Sequence, residues 1–144
     1  MKILFDTSVI VAASLSQHPS HTPCLAQLQQ AQARHHQGYL STHSLAEIYS
    51  VLSRMPSQPK MSPQNVQSLI DRNLQFLDAI TLEKADYQAA IAQMTALNLP
   101  GGGIYDALIA RAASKVAADR LLTLNPKHFT RLDPAIAQIV FVPS

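Results

Sequence analysis

Apolar residues in this chain fall into two kinds of stretch. Short unbroken runs, such as Ile3-Leu4-Phe5 and Leu121-Leu122, are separated by longer segments whose apolar positions recur every three to four residues. Unbroken runs of this length predict strands buried on both faces, and the helical recurrence predicts amphipathic helices. Lys2–Phe5 reads as a strand that runs into a helix over Val9–Leu15. Ser16–Cys24 (SQHPSHTPC) carries two prolines among small polar residues and predicts a loop. The Gln- and Ala-rich segment Leu25–Gln37 predicts a helix by propensity. Tyr39–Ser41 is a brief extended stretch, and Leu45, Ile48 and Leu52 mark the face of the next helix, from Ser44.

Met55–Ser62 is a second break. Ser62-Pro63 reads as an N-cap with proline at the first helical position, opening a helix to about Phe76. Leu77–Leu82 is a candidate strand, followed by a helix capped by Thr81 that carries Glu83 and Asp86 in its first turns and ends near Leu97. Residues 98–103, closing on three glycines, form a turn. Ile104–Ala118 predicts an almost wholly apolar helix, Arg120–Leu124 a strand and Ile136–Val142 a last strand. Strands alternating with helices imply a parallel sheet, because parallel neighbours need crossovers and right-handed crossovers lay helices on both faces. The expected fold is α/β: a three-layer α/β/α sandwich with a short central sheet and dominant helices. In such a sheet, function gathers at the carboxyl ends of the strands.

Length and composition narrow this reading. At roughly 100 to 200 residues per domain, 144 residues over 1–144 make a single domain. Charged residues are 14% against a typical ~25%, which leaves no stretch for a solvated tail or a coiled coil. No apolar run approaches the ~18 residues of a membrane span, so no membrane association is expected. Asp6, Thr7 and Ser8 interrupt what a secretory signal would need as an unbroken apolar stretch. The single cysteine, Cys24, cannot form an internal disulfide, and the cytoplasm is the expected compartment. A net charge of +2 does not by itself imply nucleic-acid binding.

The candidate chemistry lies at the predicted strand ends. Asp6 directly follows Ile3-Leu4-Phe5, so its carboxylate emerges from a buried strand, where it can either cap the next helix or act chemically. Asp106 shares a helical face with Ala110, Ala113 and Ala117; a carboxylate on such a face costs several kcal/mol (~3–5) unless it is paired or bound to a cation. Glu47 completes the capping-box pattern Ser44-Leu45-Ala46-Glu47, yet it stands early in a helix after a strand, at the same edge as Asp6. Asn125 ends Leu121-Leu122-Thr123-Leu124 and precedes a proline, a turn signal that also leaves its amide oxygen available to a hard cation or a substrate. Thr123 shares its side of the strand.

Together, Asp6 in ILFDTSVIV, Glu47 in STHSLAEIYSVLSR, Asp106 in GGGIYDALIARAA and Asn125 in LLTLNPKHF resemble the PIN-domain nucleases, particularly the VapC-type toxins of bacterial toxin–antitoxin pairs. The resemblance runs from Lys2 to about Phe141. It implies a PIN-like fold and a Mg²⁺- or Mn²⁺-dependent ribonuclease, with Asp6, Glu47 and Asp106 as catalytic and metal-binding acids and Ser8, Thr123 and Asn125 in support. It also implies an antitoxin partner and a homodimer. Where a fourth Asp often stands in that family, Asn125 is neutral. Three carboxylates then hold one divalent ion firmly, and a second arrives with substrate. The chemistry needs a nucleophilic water and a polarised phosphoryl oxygen, which an oxygen-ligated ion supplies, while Asp6 or Glu47 orients or deprotonates the water.

Charge distribution is informative once those acids are set aside. Eleven basic against the remaining six acidic residues leaves +5, enough to hold a phosphate backbone. Lys127, His128 and Arg131 are the nearest candidate RNA contacts, followed by Arg54 and Lys60; Phe129 reads as core. His18, His21 and Cys24 lack the fourth ligand and partner pair of a zinc site and read as a loop beside the active edge. A receiver or dehalogenase-like phosphatase would place a second acid close to Asp6, where Thr7 and Ser8 stand. The alternative of another class is a PIN-like module that binds RNA or protein without cutting, for which Asn125 is the argument.

Overall fold

The computed structural model describes residues 1–56 and 60–144, so part of the expected Met55–Ser62 break, at 57–59, lies outside the described residues. The elements follow in order β1 (Lys2–Phe5), α1 (Thr7–Ser14), α2 (His21–Gln32), β2 (Gln37–Ser41), α3 (Thr42–Arg54), α4 (Pro63–Asn73) and β3 (Leu77–Ile80). They continue with α5 (Lys84–Ala96), α6 (Gly103–Lys115), β4 (Arg120–Leu122), α7 (Pro126–Thr130), α8 (Pro134–Ile139) and β5 (Val140–Phe141). Among the described residues, five strands pair in the order β3-β2-β1-β4-β5, all parallel, with β1 at the centre. This is the expected α/β sandwich.

Strand alternation sends the core to both faces. Ile3 and Phe5, with Leu122, pack among Val9, Ile10, Leu28, Ile48 and Leu52 from α1, α2 and α3. Leu4 and Leu121 point the other way, into Met94, Leu108, Ile109, Phe129 and Ile136. Phe129 is fully buried, in keeping with its reading as core. Close approach of α2 to the sheet depends on Gly38, where a Cβ would collide with the Leu77 side chain and stand 3.0 Å from that of Ala31. Among the described residues, no helix is long and apolar enough to cross a membrane.

Several element boundaries differ from the sequence expectation, each for a local reason. The helix expected over Leu25–Gln37 begins earlier, at His21, and ends at Gln32, because Arg34 turns left-handed (φ 63°) and Gln37 already pairs in β2. The Ser16–Cys24 loop is correspondingly shorter. The helix expected to Ala118 stops at Lys115, ahead of a left-handed Ala117 (φ 51°). Ser41, not Ser44, caps α3, its hydroxyl accepting from the Ser44 N–H at 3.1 Å. That correction frees Glu47 from the capping box. The helix assigned to a Thr81 cap has Glu83 as its N-cap, whose N–H donates to the Asp86 carboxylate at 2.8 Å. The last strand is only Val140–Phe141, because Asp133 caps a helix through Pro134, accepting from the Ile136 N–H at 2.8 Å.

Asp86 is structural. Its buried carboxylate receives Arg111 Nε at 2.9 Å and Lys115 Nζ at 2.7 Å, which ties α5 to α6. The Lys115 hydrogen bond, then the Glu83 N–H and Arg111, hold its pKa well below the ordinary carboxylate range. A depressed folded pKa adds stability above the unfolded value and loses it as the pH falls below about 4. Thermal melts should therefore place Asp86→Asn below wild type by about the same margin at pH 7 and pH 5, with the gap narrowing only as the pH falls below about 4.

Candidate active site

Asp6 is the first residue past β1, and its N–H extends the ladder by donating to the Leu122 carbonyl at 2.9 Å. The residue is 5% exposed, and this burial raises its pKa. Two hydroxyls oppose the shift by donating to the same oxygen: Ser8 Oγ and Thr123 Oγ1, each 2.7 Å from Asp6 Oδ2. A backbone donor behind each hydroxyl fixes its direction. The Leu124 N–H donates to Ser8 Oγ at 3.1 Å, and the Asn125 N–H donates to Thr123 Oγ1 at 2.9 Å. A hydroxyl oxygen that already accepts from an N–H keeps its proton for the carboxylate. Among the described residues no side chain donates to Oδ1.

Glu47 lies on the second turn of α3, one helical turn after His43. Burial raises its pKa; His43 and a hydrogen bond from Thr7 lower it, and Asp6 raises it. Thr7 Oγ1 stands 3.2 Å from Glu47 Oε1 and 3.0 Å from Ser44 Oγ, joining α1 to α3. His43 Nε2 faces Glu47 Oε1 at 3.4 Å, yet it is buried and makes no hydrogen bond among the described residues. The His43 ring stacks on Tyr105 with centroids 4.9 Å apart and planes 7° from parallel, fixing α3 against α6.

Asp106 occupies the first turn of α6 with its side chain 20% exposed and Oδ2 3.5 Å from His128 Nδ1. Burial pushes its pKa up to about 6, with Asp6 and Glu47 adding to the shift while His128 and Arg131 oppose it. The three acids border one cavity of about 500 Å³, with Ser8 and Asn125 also on its wall. They line it without converging: among the described residues no three His, Cys, Asp or Glu side chains stand in position to hold one ion. The donor set nonetheless suits a hard divalent cation. It offers carboxylate and hydroxyl oxygens, and the acids raise one another's proton affinity in a cavity that no lysine or arginine borders among the described residues.

The expected supporting groups divide. Ser8 and Thr123 touch Asp6, as described, whereas Asn125 contributes its backbone N–H to the network and exposes its side chain at the cavity. His128 pairs with Asp106. Lys127, Arg131 and Arg54 are exposed outside the cavity lining, with Arg131 packed against Gly103. Sequence reading missed Thr7 and His43, and it placed His18 beside the active edge without giving it a role, where the structure sets it on the cavity wall. His43 was within reach of it, since it stands four residues before Glu47 on one helix. His21, from the same segment as His18, anchors α2 by placing Nδ1 3.0 Å from the Ala12 carbonyl.

Comparison with known proteins agrees with this architecture. The family model described as "PIN domain" matches residues 3–133. Ribonuclease VapC27 of Mycobacterium tuberculosis is 29% identical over 114 residues, covering 79% of this chain and 78% of that protein. Ribonuclease VapC40 of the same organism is 29% identical over 118 residues, covering 82% of each. Among solved structures, VapBC2 from Rickettsia felis bound to a promoter DNA fragment matches with a TM-score of 0.70 at 24% identity, covering 100% of both chains.

The raised Asp106 pKa bears on stability without metal. A folded pKa of about 6 against an ordinary 3.8 means that the proton binds the folded state more tightly. The resulting stabilisation is fully present below 3.8 and lost as the pH rises through about 6. In EDTA the wild type should therefore melt higher at pH 4.5 than at pH 7.5. Asp106→Asn should remove much of that dependence and gain roughly 1 kcal/mol at pH 7.5 after solvent screening. Chemical denaturation at the two pH values reads both effects; an Asn variant no more stable at pH 7.5 would contradict the assigned environment.

Proposed function

This chain belongs to the PIN domain family, and on that premise we propose that it is a metal-dependent endoribonuclease, the toxin of a type II toxin–antitoxin pair. One observation carries the reading: Asp6, Glu47 and Asp106, from three separate elements, border a single cavity at the carboxyl edge of the sheet. The ribonuclease relatives and the toxin–antitoxin complex among the structural neighbours support the same choice of substrate class and partner. RNA is the substrate, an antitoxin protein is the partner, and two copies of the chain form the working unit.

Asp6 and Asp106 would hold Mg²⁺ or Mn²⁺, with Glu47 beside them. A bound ion supplies Lewis acidity towards a phosphoryl oxygen and makes water more acidic. The chain's own groups do the rest. Ser8 and Thr123 lock the Asp6 carboxylate through Oδ2, leaving Oδ1 to face a ligand. Glu47 is held less tightly, by Thr7 alone among the hydroxyl donors of the described residues, and its raised proton affinity suits it to accept the proton of the attacking water. His43, fixed on Tyr105, faces the same Glu47 oxygen as Thr7, at 3.4 Å.

Cleavage of a mixed RNA pool by wild type, Asp6→Asn and Asp106→Asn, each in EDTA, Mg²⁺ and Mn²⁺, tests this reading. The wild type should cut only with metal, and each variant should lose at least about 100-fold in rate while keeping a folded circular-dichroism spectrum. No cutting by folded wild type in either metal would favour a binding module, for which the neutral Asn125 and the open spacing of the three acids would be the explanation.

A further inference from the structure

His18 borders the same cavity as the three acids, and nothing in the chemistry above uses it. Among the described residues it is the one basic side chain in that lining. A phosphodiester approaching three carboxylates meets negative walls, so a group other than the metal that donates to its oxygens changes how well it is held. A lysine or arginine in this position would ion-pair with the acids and compete with the cation; a neutral donor does not.

The surroundings of the ring define such a donor. The Ser20 N–H donates to His18 Nδ1 at 3.0 Å. A backbone N–H can only donate, so Nδ1 accepts and the neutral ring carries its proton on Nε2. The segment between α1 and α2 is itself pinned: the His18 N–H donates to the Leu15 carbonyl at 2.9 Å, and the His21 N–H donates to the His18 carbonyl at 3.0 Å. The half-buried imidazole is thus set on a hydrogen-bonded turn with its tautomer fixed. We propose that His18 is a substrate-positioning residue whose Nε2–H donates a hydrogen bond to a non-bridging phosphoryl oxygen of the RNA in this cavity. The inference rests on the ribonuclease reading above.

Two substitutions separate this role from a structural one. His18→Asn keeps an acceptor near the place of Nδ1 for the Ser20 N–H but has no donor at the reach of Nε2, while His18→Gln places an amide donor at the reach of Nε2 and loses the acceptor at the place of Nδ1. Cleavage of a fluorophore- and quencher-labelled single-stranded RNA should show KM raised roughly 10-fold in His18→Asn, kcat within about twofold of wild type, and near-wild-type constants in His18→Gln. Fluorescence anisotropy of a labelled RNA of the same sequence in an Asp6→Asn background should show the same ordering of Kd. The reverse ordering, with Gln impaired and Asn normal, would mean that His18 only holds its turn and would overturn the proposal. Unchanged KM and Kd in His18→Asn, or a fall confined to kcat, would overturn it as well. If the wild type fails to cut, the ribonuclease reading falls, while weaker RNA binding by His18→Asn would still uphold the phosphate contact.

Discussion

A carboxylate buried at the end of the central strand is the constraint on which the active edge depends. Asp6 cannot remain charged there without donors, because an uncompensated buried ion costs several kcal/mol, on the order of 3–5. Its donors come from two different places in the chain. Ser8 belongs to the following helix, and Thr123 lies 117 residues away in sequence, just past β4. The register that pairs Phe5 with Leu122 brings Thr123 beside Asp6, and the backbone N–H groups of Leu124 and Asn125 then orient both hydroxyls. Sheet pairing and site geometry are therefore one requirement, since a slip of one residue between β1 and β4 would turn Thr123 to the other face.

The fold treats its buried acids in two opposite ways. Asp86 receives Arg111 and Lys115 from α6 and is held charged at almost any pH. Asp106 stands on the same helix, five residues before Arg111 and so on another face, and among the described residues the basic group that meets it is His128 at 3.5 Å. The cations of α6 neutralise the carboxylate that joins two helices and leave the cavity acids unpaired. Acids left without strong cationic partners destabilise the protein at neutral pH, and under the proposed function that unmet charge is what would attract a divalent cation. On that reading, stability given up at the site would be recovered by ligand binding.

Imidazoles take the places around the cavity where lysines and arginines would compete. His43 lies against Glu47, His128 against Asp106, and His18 on the wall between α1 and α2. Each is positioned by something other than the acids: Tyr105 by stacking for His43, helix α7 for His128, and the Ser20 N–H for His18. An imidazole can donate without carrying a permanent charge, so a ring in these positions adjusts the electrostatics of the cavity without filling it.

The alternation of unbroken apolar runs and helical faces was enough to specify a parallel α/β sandwich, because runs such as Ile3-Leu4-Phe5 are stable only where both faces are covered. Sequence also singled out Asp6 and Asp106, which stand in contexts where an unpaired charge is costly and which the structure brings to the border of one cavity. It did not determine helix ends at Arg34 and Ala117, where ordinary residues take a left-handed turn with no glycine to announce it. Ser44 and Glu47 fit a capping box by spacing, and only the backbone conformation at Ser41 assigned the cap elsewhere. The pairing of Thr123 with Asp6, the stack of His43 on Tyr105 and the bond from Thr7 to Glu47 were decided by tertiary structure. They join residues far apart in the chain, and local propensity contains no information about pairs that meet only when the sheet has formed.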